Sequence, residues 1–177
     1  AGVTTGEWGA LVREAFGASI DELFTEFEES PIASGSIGQV HLATLREPHG
    51  AFPRGLRVAV KVQHPDLATK LALDMTILRK LAAFVGRFQG AGVSVADTVN
   101  QFATNFYMQL DFRDEAANLR TFNSNFGSSF WGAVVSFPRP VDGLEHELVL
   151  VETYERGESV AIKIIKSKKP LTIIIHT

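Results

Sequence analysis

The sequence predicts an α+β fold in which helices pack on an antiparallel sheet, and three observations carry that expectation. Two apolar, β-branched runs, Ile37 to Leu45 and Leu56 to Gln63, are separated by a stretch rich in Gly and Pro and read as a hairpin. From about Leu67 the apolar period changes from two residues to that of a helix. Two further strand-like runs, Val134 to Val141 and Glu147 to Tyr154, follow the helical stretch. A hairpin pairs its two strands antiparallel, and runs of strands set apart from runs of helices belong to the α+β class.

Taken in order, Trp8 to Phe16 reads as a short amphipathic helix ended by Gly17. Ser19-Ile-Asp-Glu22 has capping-box spacing and opens a second helix whose apolar face is Leu23, Phe24 and Phe27. Ser30-Pro31 stops it, because proline disfavours a helical residue before it. The hairpin follows, with Arg46 to Gly55 as its loop. In the next helix Leu67, Leu71, Leu78, Leu81, Val85 and Phe88 are expected on one face, with Lys70, Arg79 and Lys80 away from it, until Gly90 and Gly92 break the pattern. Ser94 caps a further helical tract running to about Phe126 through Phe102, Phe106, Leu110 and Leu119. The two last strands flank a polar turn at Asp142-Gly143-Leu144-Glu145.

Composition narrows the function classes. A chain of 177 residues with 45% hydrophobic content suits one globular domain, or one lobe with an appendage. With 17 basic against 20 acidic residues the net charge is −3, which argues against a sequence-independent nucleic-acid binder. The absence of cysteine removes disulfides, thiolate chemistry and cysteine zinc sites. No run approaches the roughly 18 apolar residues of a membrane-spanning helix. Histidines 41, 49, 64, 146 and 176 lack metal-ligand spacing, so no metal site built by protein ligands is expected.

The chemistry concentrates in two strings, Pro31-Ile-Ala-Ser-Gly-Ser-Ile-Gly-Gln-Val-His41 and Arg57-Val-Ala-Val-Lys-Val-Gln-His-Pro65. Ala33, Ser34, Gly35 and Ser36 form a small-residue loop whose backbone can approach an anion closely. Lys61 sits among Val and Ala on a strand, where its stem packs while its ammonium reaches the edge. Alone, each feature is also what a plain tight turn or an edge-strand lysine looks like. Joined across one hairpin, they suit the phosphates of a nucleotide. An ammonium so placed needs a carboxylate to hold it. The segment Gln109-Leu-Asp-Phe-Arg-Asp-Glu115 offers Asp111 and Glu115 four apart on one helix face, with Asp114 pointing elsewhere. Glu115 is the candidate partner, although a solvated acidic face fits the spacing equally well. The strand ending in Glu152-Thr-Tyr154 is a candidate hinge whose backbone binds a base, or simply a buried strand.

These strings, with Asp111-Phe-Arg-Asp-Glu-Ala-Ala-Asn-Leu119, Phe137-Pro-Arg-Pro140 and Val149-Leu-Val-Glu-Thr-Tyr-Glu-Arg-Gly-Glu-Ser159, resemble the UbiB/aarF-domain atypical kinase family over about residues 8 to 161. The hinge wording is most similar to a plant mitochondrial branch. The resemblance implies a protein-kinase-like small lobe with an alanine-rich loop in place of the usual glycine-rich one, the large lobe missing. It divides the chain into an N-terminal helical extension (1–30), the small lobe and hinge (31–161) and a tail unlike the family (162–177). By the match, Ala33, Ser34, Gly35 and Ser36 correspond to the phosphate loop, Lys61 to the strand lysine and Glu115 to its ion-pair glutamate. Asp111 matches the aspartate of a Glu-x-Asp motif, while Glu152 and Tyr154 fall in the hinge.

The same resemblance implies ATP as cofactor, with Mg²⁺ expected only in the full-length parent, and a link to coenzyme Q or other prenyl-lipid metabolism. A mitochondrial location is expected from it, with a plastid as the alternative. A prenyl-lipid or membrane surface is an expected partner of the parent, and nucleic acid is not. Three departures stand out: Gln109 replaces the glutamate of the Glu-x-Asp motif, the Lys-x-Gly-Gln helix is absent, and neither a catalytic loop nor an Asp-Phe-Gly segment follows. The leading expectation is an ATP-binding lobe inactive as this fragment. The alternative is a non-catalytic module that docks on a partner or lipid surface through the helices Trp8 to Phe27 and Leu67 to Phe88.

Overall fold

The computed structural model describes residues 5–87, 94–127, 132 and 134–157. The expected tail, residues 162–177, lies outside the described residues, as do Phe88, Gly90 and Gly92. The elements run α1 (Thr5–Phe16), α2 (Ile20–Leu23), β1 (Phe24–Phe27), β2 (Ala33–Ser34), β3 (Gly38–Leu45), β4 (Arg57–Gln63), α3 (Leu67–Gly86), α4 (Val95–Met108), α5 (Phe112–Gly127), β5 (Pro140–Glu145) and β6 (Val149–Thr153). The strands form one antiparallel sheet in the order β1-β3-β4-β6-β5, and β2 pairs with the start of β3. The expected α+β class is the observed one.

The two faces of the sheet separate by strand alternation. Val58, Val60 and Val62 of β4 lie opposite Thr153, Val151 and Val149 of β6, and the five valines face a core closed by Trp8 and Val12 of α1. Spacing Trp8, Leu11, Val12, Ala15 and Phe16 along α1 gives the stripe that covers this face. On the opposite face, Ala59 and Lys61 lie beside Glu152 and Leu150, and α5 docks there through Phe112, Ala116 and Leu119. Helices therefore cover both sides of the central strands.

Four elements differ from the sequence expectation. The second helix stops after Leu23, and Phe24–Phe27 is strand β1. Pairing with β3 buries Phe24 and stacks Phe27 on Trp8 at 4.7 Å between ring centres, which a continued helix would forgo. The single helical tract after Ser94 is broken at residues 109–111, and Asp111 starts α5 by accepting the Arg113 N–H at 2.9 Å. The polar 142–145 segment belongs to β5: Val141 and Leu144 are both buried because Gly143, at φ 77°, carries a bulge between them, and the reversal falls at 146–148. Finally, α3 buries Leu71, Met75 and Ala82 while Leu81 is exposed; its partners are Ala103 and Phe106 of α4, with Leu110 just past the end of that helix. The stripe nearest Met75 wins because that is the side α4 occupies.

His41 sits fully buried between Trp8 and Phe27, its Nδ1–H donating to Glu28 O at 2.9 Å. Burial holds its pKa below the ordinary imidazole value, and only the Glu28 bond opposes that. A histidine depressed in the folded state leaves the unfolded chain with more bound protons below pH ~6.5. We therefore expect stability to fall as pH drops from about 6.5 towards the folded-state pKa. Denaturant midpoints at pH 7.5 and 5.5 should differ in the wild type and differ less in His41→Phe.

Candidate functional site

Lys61 lies at the centre of β4 with its side chain on the α5 side of the sheet. Strand alternation dictates this, since Val60 and Val62 take the other face. Glu115 reaches it because Phe112, Ala116 and Leu119 anchor α5 on the sheet, and position 115 lies on the rim of that stripe. The Lys61 Nζ is hydrogen-bonded to Glu115 Oε1, and the Nζ is also 3.3 Å from Glu152 Oε1. Glu152, paired in register with Ala59, brings this second carboxylate from β6.

One ammonium thus stands between two carboxylates in a largely dry setting, the Lys61 and Glu152 side chains being only 16% and 6% exposed. Burial works against the charge on Lys61, but Glu152 and Glu115 more than offset it, and its pKa lies above the usual lysine value. Burial pushes the Glu152 carboxyl above the ordinary glutamate range, with Lys61 opposing and the charge of Glu115 adding to the rise. Lys61 is therefore a firmly charged anchor, and Glu152 is the group that is hardest to keep ionised.

Two cavities meet at this ion group. One, of about 240 Å³, is walled by Val40, Ala59, Leu119, Phe137 and Tyr154 and has Lys61, Glu115 and Glu152 on its lining. The other lies under the 35–38 turn and shares Val40, Lys61 and Glu115 with the first. The turn itself is tight: Ala33 and Ser34 pair with Val40 and Gln39, and Gly35 N–H donates to Gly38 O at 2.9 Å. His64 Nε2–H donates to Gly35 O at 2.9 Å, so the corner after β4 braces the turn. All four expected loop residues, Ala33, Ser34, Gly35 and Ser36, are exposed.

The two glycines of this turn differ. A side chain on Gly38 would meet Val62 O at 2.4 Å, whereas one on Gly35 would meet nothing closer than 4.0 Å. Gly38→Ala should therefore displace β3 from β4 and destabilise the lobe, while Gly35→Ala leaves the fold unchanged. Thermal unfolding of the two variants separates these outcomes; equal midpoints would contradict the packing described.

The expected site residues do not all converge. Lys61, Glu115 and Glu152 meet, and Ala33 and Tyr154 line the same cavity. Asp111 does not share a helix face with Glu115, since it precedes the first turn of α5. Its carboxylate is engaged by the Arg113 guanidinium at 2.6 Å, which with backbone bonding holds its pKa below the usual range. One contributor is not apparent from sequence reasoning, and another enters by a different atom. Gln63 donates its side-chain amide to Leu110 O and, at 3.0 Å, to Glu147 O, tying β4 to the α4–α5 junction. Glu152 was expected to offer backbone, yet its side chain pairs with Lys61. The available signal was an acid inside an otherwise apolar strand, a place where a carboxylate needs a cation.

Among the described residues no group of three His, Asp or Glu side chains is placed to hold a metal ion. No described helix is long and apolar enough to cross a membrane.

The model of the ABC1 atypical kinase-like domain matches residues 3–172. A Mycobacterium tuberculosis protein of uncharacterised function is 36% identical over 159 residues, covering 89% of this chain and 31% of its own length. The Dictyostelium discoideum protein named probable serine/threonine-protein kinase abkC is 34% identical over 145 residues, covering 81% of this chain and 20% of its own. An Arabidopsis thaliana aarF domain-containing protein kinase, named as chloroplastic, is 34% identical over 117 residues, covering 66% of this chain and 16% of its own. Among solved structures, the Mycobacterium tuberculosis protein Rv3197, in complex with erythromycin, superposes with a TM-score of 0.72 at 27% identity over 94% of this chain and 39% of that one. The chain thus spans about a third or less of the length of these curated relatives.

Proposed function

Since this chain belongs to the ABC1 atypical kinase-like family, the UbiB/aarF group, and its fold is a kinase-like small lobe, we propose that it is the nucleotide-binding part of an atypical kinase domain, with ATP as its ligand. The observation that carries this reading is Lys61, held between Glu115 and Glu152 where the two cavities meet. In a dry site a fixed ammonium neutralises phosphate charge, and Glu115 keeps it from collapsing elsewhere. ATP would bring the transferable phosphoryl group; the chain's own part is to bind and orient it. Mg²⁺ belongs to this reading only for the longer protein. Positioning and charge stabilisation make up nearly all of phosphoryl-transfer catalysis, so turnover by these 177 residues alone is not expected.

The test is calorimetric titration of the chain with ATP and with adenosine, repeated on a folded Lys61→Met. The expected result is saturable ATP binding, tighter than that of adenosine, with the advantage lost in the variant. Absence of ATP binding, or the same ATP-over-adenosine advantage in folded Lys61→Met, would overturn it. ATP hydrolysis by the chain that Lys61→Ala abolishes would overturn the expectation of no turnover.

The link to coenzyme Q or other prenyl-lipid metabolism is part of the same proposal and is supported by family resemblance alone. For location, the name of the Arabidopsis relative supports a plastid over the mitochondrion first expected. A second reading, docking on a lipid surface or partner, is favoured by one observation: Leu73, Ile77 and Leu81 form an exposed stripe on α3. Helix α1 is closed to that role, because its Trp8 and Val12 are buried in the core. Co-sedimentation with liposomes that a Leu73→Glu/Ile77→Glu variant abolishes would support this second role.

A further inference from the structure

Gln63 is 4% exposed and lies two residues after Lys61, so strand alternation sends both side chains to the α5 side of β4. Its side-chain amide carries two N–H groups and directs both at main-chain carbonyls, Leu110 O and, at 3.0 Å, Glu147 O. Leu110 stands just before α5, and Glu147 sits in the reversal between β5 and β6. Glu147 O also accepts the Phe112 N–H at 3.2 Å. The start of α5 is thus fastened to the end of β4 and to the 146–148 reversal at one buried point.

The other contacts of that helix end are of a different kind. Phe112, Ala116 and Leu119 hold α5 on the sheet by apolar packing, which has no direction of its own. Arg113 reaches Glu147 Oε2 at 3.2 Å from outside, but the two side chains are 58% and 52% exposed, where an ion pair contributes little. The directed side-chain bonds in a dry place are those of Gln63. Glu115 is the fourth residue of α5, so whatever sets the first turn sets its carboxylate. Slippage by one residue along a helix is about 1.5 Å, enough to open a hydrogen bond. With Glu115 withdrawn, Lys61 would keep only Glu152, which lines the first cavity and not the one under the 35–38 turn.

We propose, resting on the nucleotide reading above, that Gln63 is a positioning residue: its amide holds the first turn of α5 at the depth where Glu115 meets Lys61, and so keeps the ammonium turned toward the phosphates of the nucleotide. Leucine in its place would leave two buried carbonyls without their donor and let the helix start move. Glutamate would set a carboxylate against those same carbonyls.

The test reads Lys61 directly, through the ¹⁵N signal of its ammonium in the chain without nucleotide. A folded Gln63→Leu is expected to move that signal from the wild-type position to the one found in Glu115→Gln. Combining the two substitutions should move it no further. Calorimetry should show ATP binding weakened roughly 10-fold in each single variant, and by no more than that in the double. A Lys61 signal left at its wild-type position, an unchanged ATP affinity, or losses that add in the double variant would overturn the inference. Should Gln63→Leu fail to fold, the wild type decides. There the side-chain amide protons of Gln63 are expected to exchange with solvent far more slowly than those of the exposed Gln109, and equal rates would overturn the inference. ATP binding to the wild type with a Lys61 signal indifferent to Gln63→Leu removes this inference alone. No ATP binding removes the nucleotide reading, and with it the role assigned to Gln63.

Discussion

Replacing Lys61 with methionine is expected to lower the stability of the lobe by about 3–5 kcal/mol at neutral pH, the range for breaking a buried ion pair on one side. The loss comes less from the missing attraction than from what is left behind. Glu152 is 5% exposed and would face Glu115 with no cation between them. The variant can escape by protonating Glu152, whose pKa burial already raises. With the folded pKa above the unfolded value, ionisation of Glu152 costs stability as pH rises through that interval. The deficit should therefore be smaller at pH 5 than at pH 8. A double variant, Lys61→Met/Glu152→Leu, should recover most of it, since an apolar pair of similar volume replaces a buried ion pair at little cost. Urea unfolding of the three proteins at both pH values checks each step. A single variant costing under about 1 kcal/mol, the range of an exposed pair, would show that the ion group is solvated.

Trp8→Ala is the second large effect, expected to cost about 3–5 kcal/mol as for other buried aromatic truncations. Trp8 is 3% exposed, stacks on Phe27 and closes the valine face of β4 and β6. For a chain of this size a loss of that order lowers the melting temperature by roughly 10 °C or more. His41 also packs against Trp8, with 5.0 Å between ring centres. Opening that contact hydrates the imidazole, so the variant should lose part of the acid sensitivity expected of the wild type. A melting temperature unchanged by Trp8→Ala would mean that α1 is not part of the lobe's core.

How much of this is legible in the sequence depends on whether the deciding contact is local. The β3–β4 hairpin reads directly from alternating Val and Ala around Lys61, and Glu115 follows from the need of that lysine for a carboxylate. Helix α1 reads from its own stripe, and Gly17 ends it in the left-handed conformation at φ 69°. Phe24–Phe27 does not read correctly, because a capping box at Ser19 promises a helix and only the edge of β3 turns those residues into a strand. The bulge at Gly143 is a tertiary choice of the same kind: a polar Asp-Gly pair signals a turn until Leu144 has a core to enter. Asp111 escapes a reading of spacing for a subtler reason. Helical spacing to Glu115 holds whether or not a helix includes both, and the Arg113 N–H makes Asp111 its start instead. Glu152 required the register of β6 against β4, which no single strand carries.

The most direct measurement of the central claim is the ¹⁵N signal of the Lys61 ammonium, assigned by its absence in a folded Lys61→Arg, followed while ATP is added. A lysine held by two carboxylates and meeting phosphate should give a shift that moves and saturates with ATP and does not move with adenosine. A Lys61 signal that stays fixed while ATP binds, or moves equally with adenosine, would contradict the account.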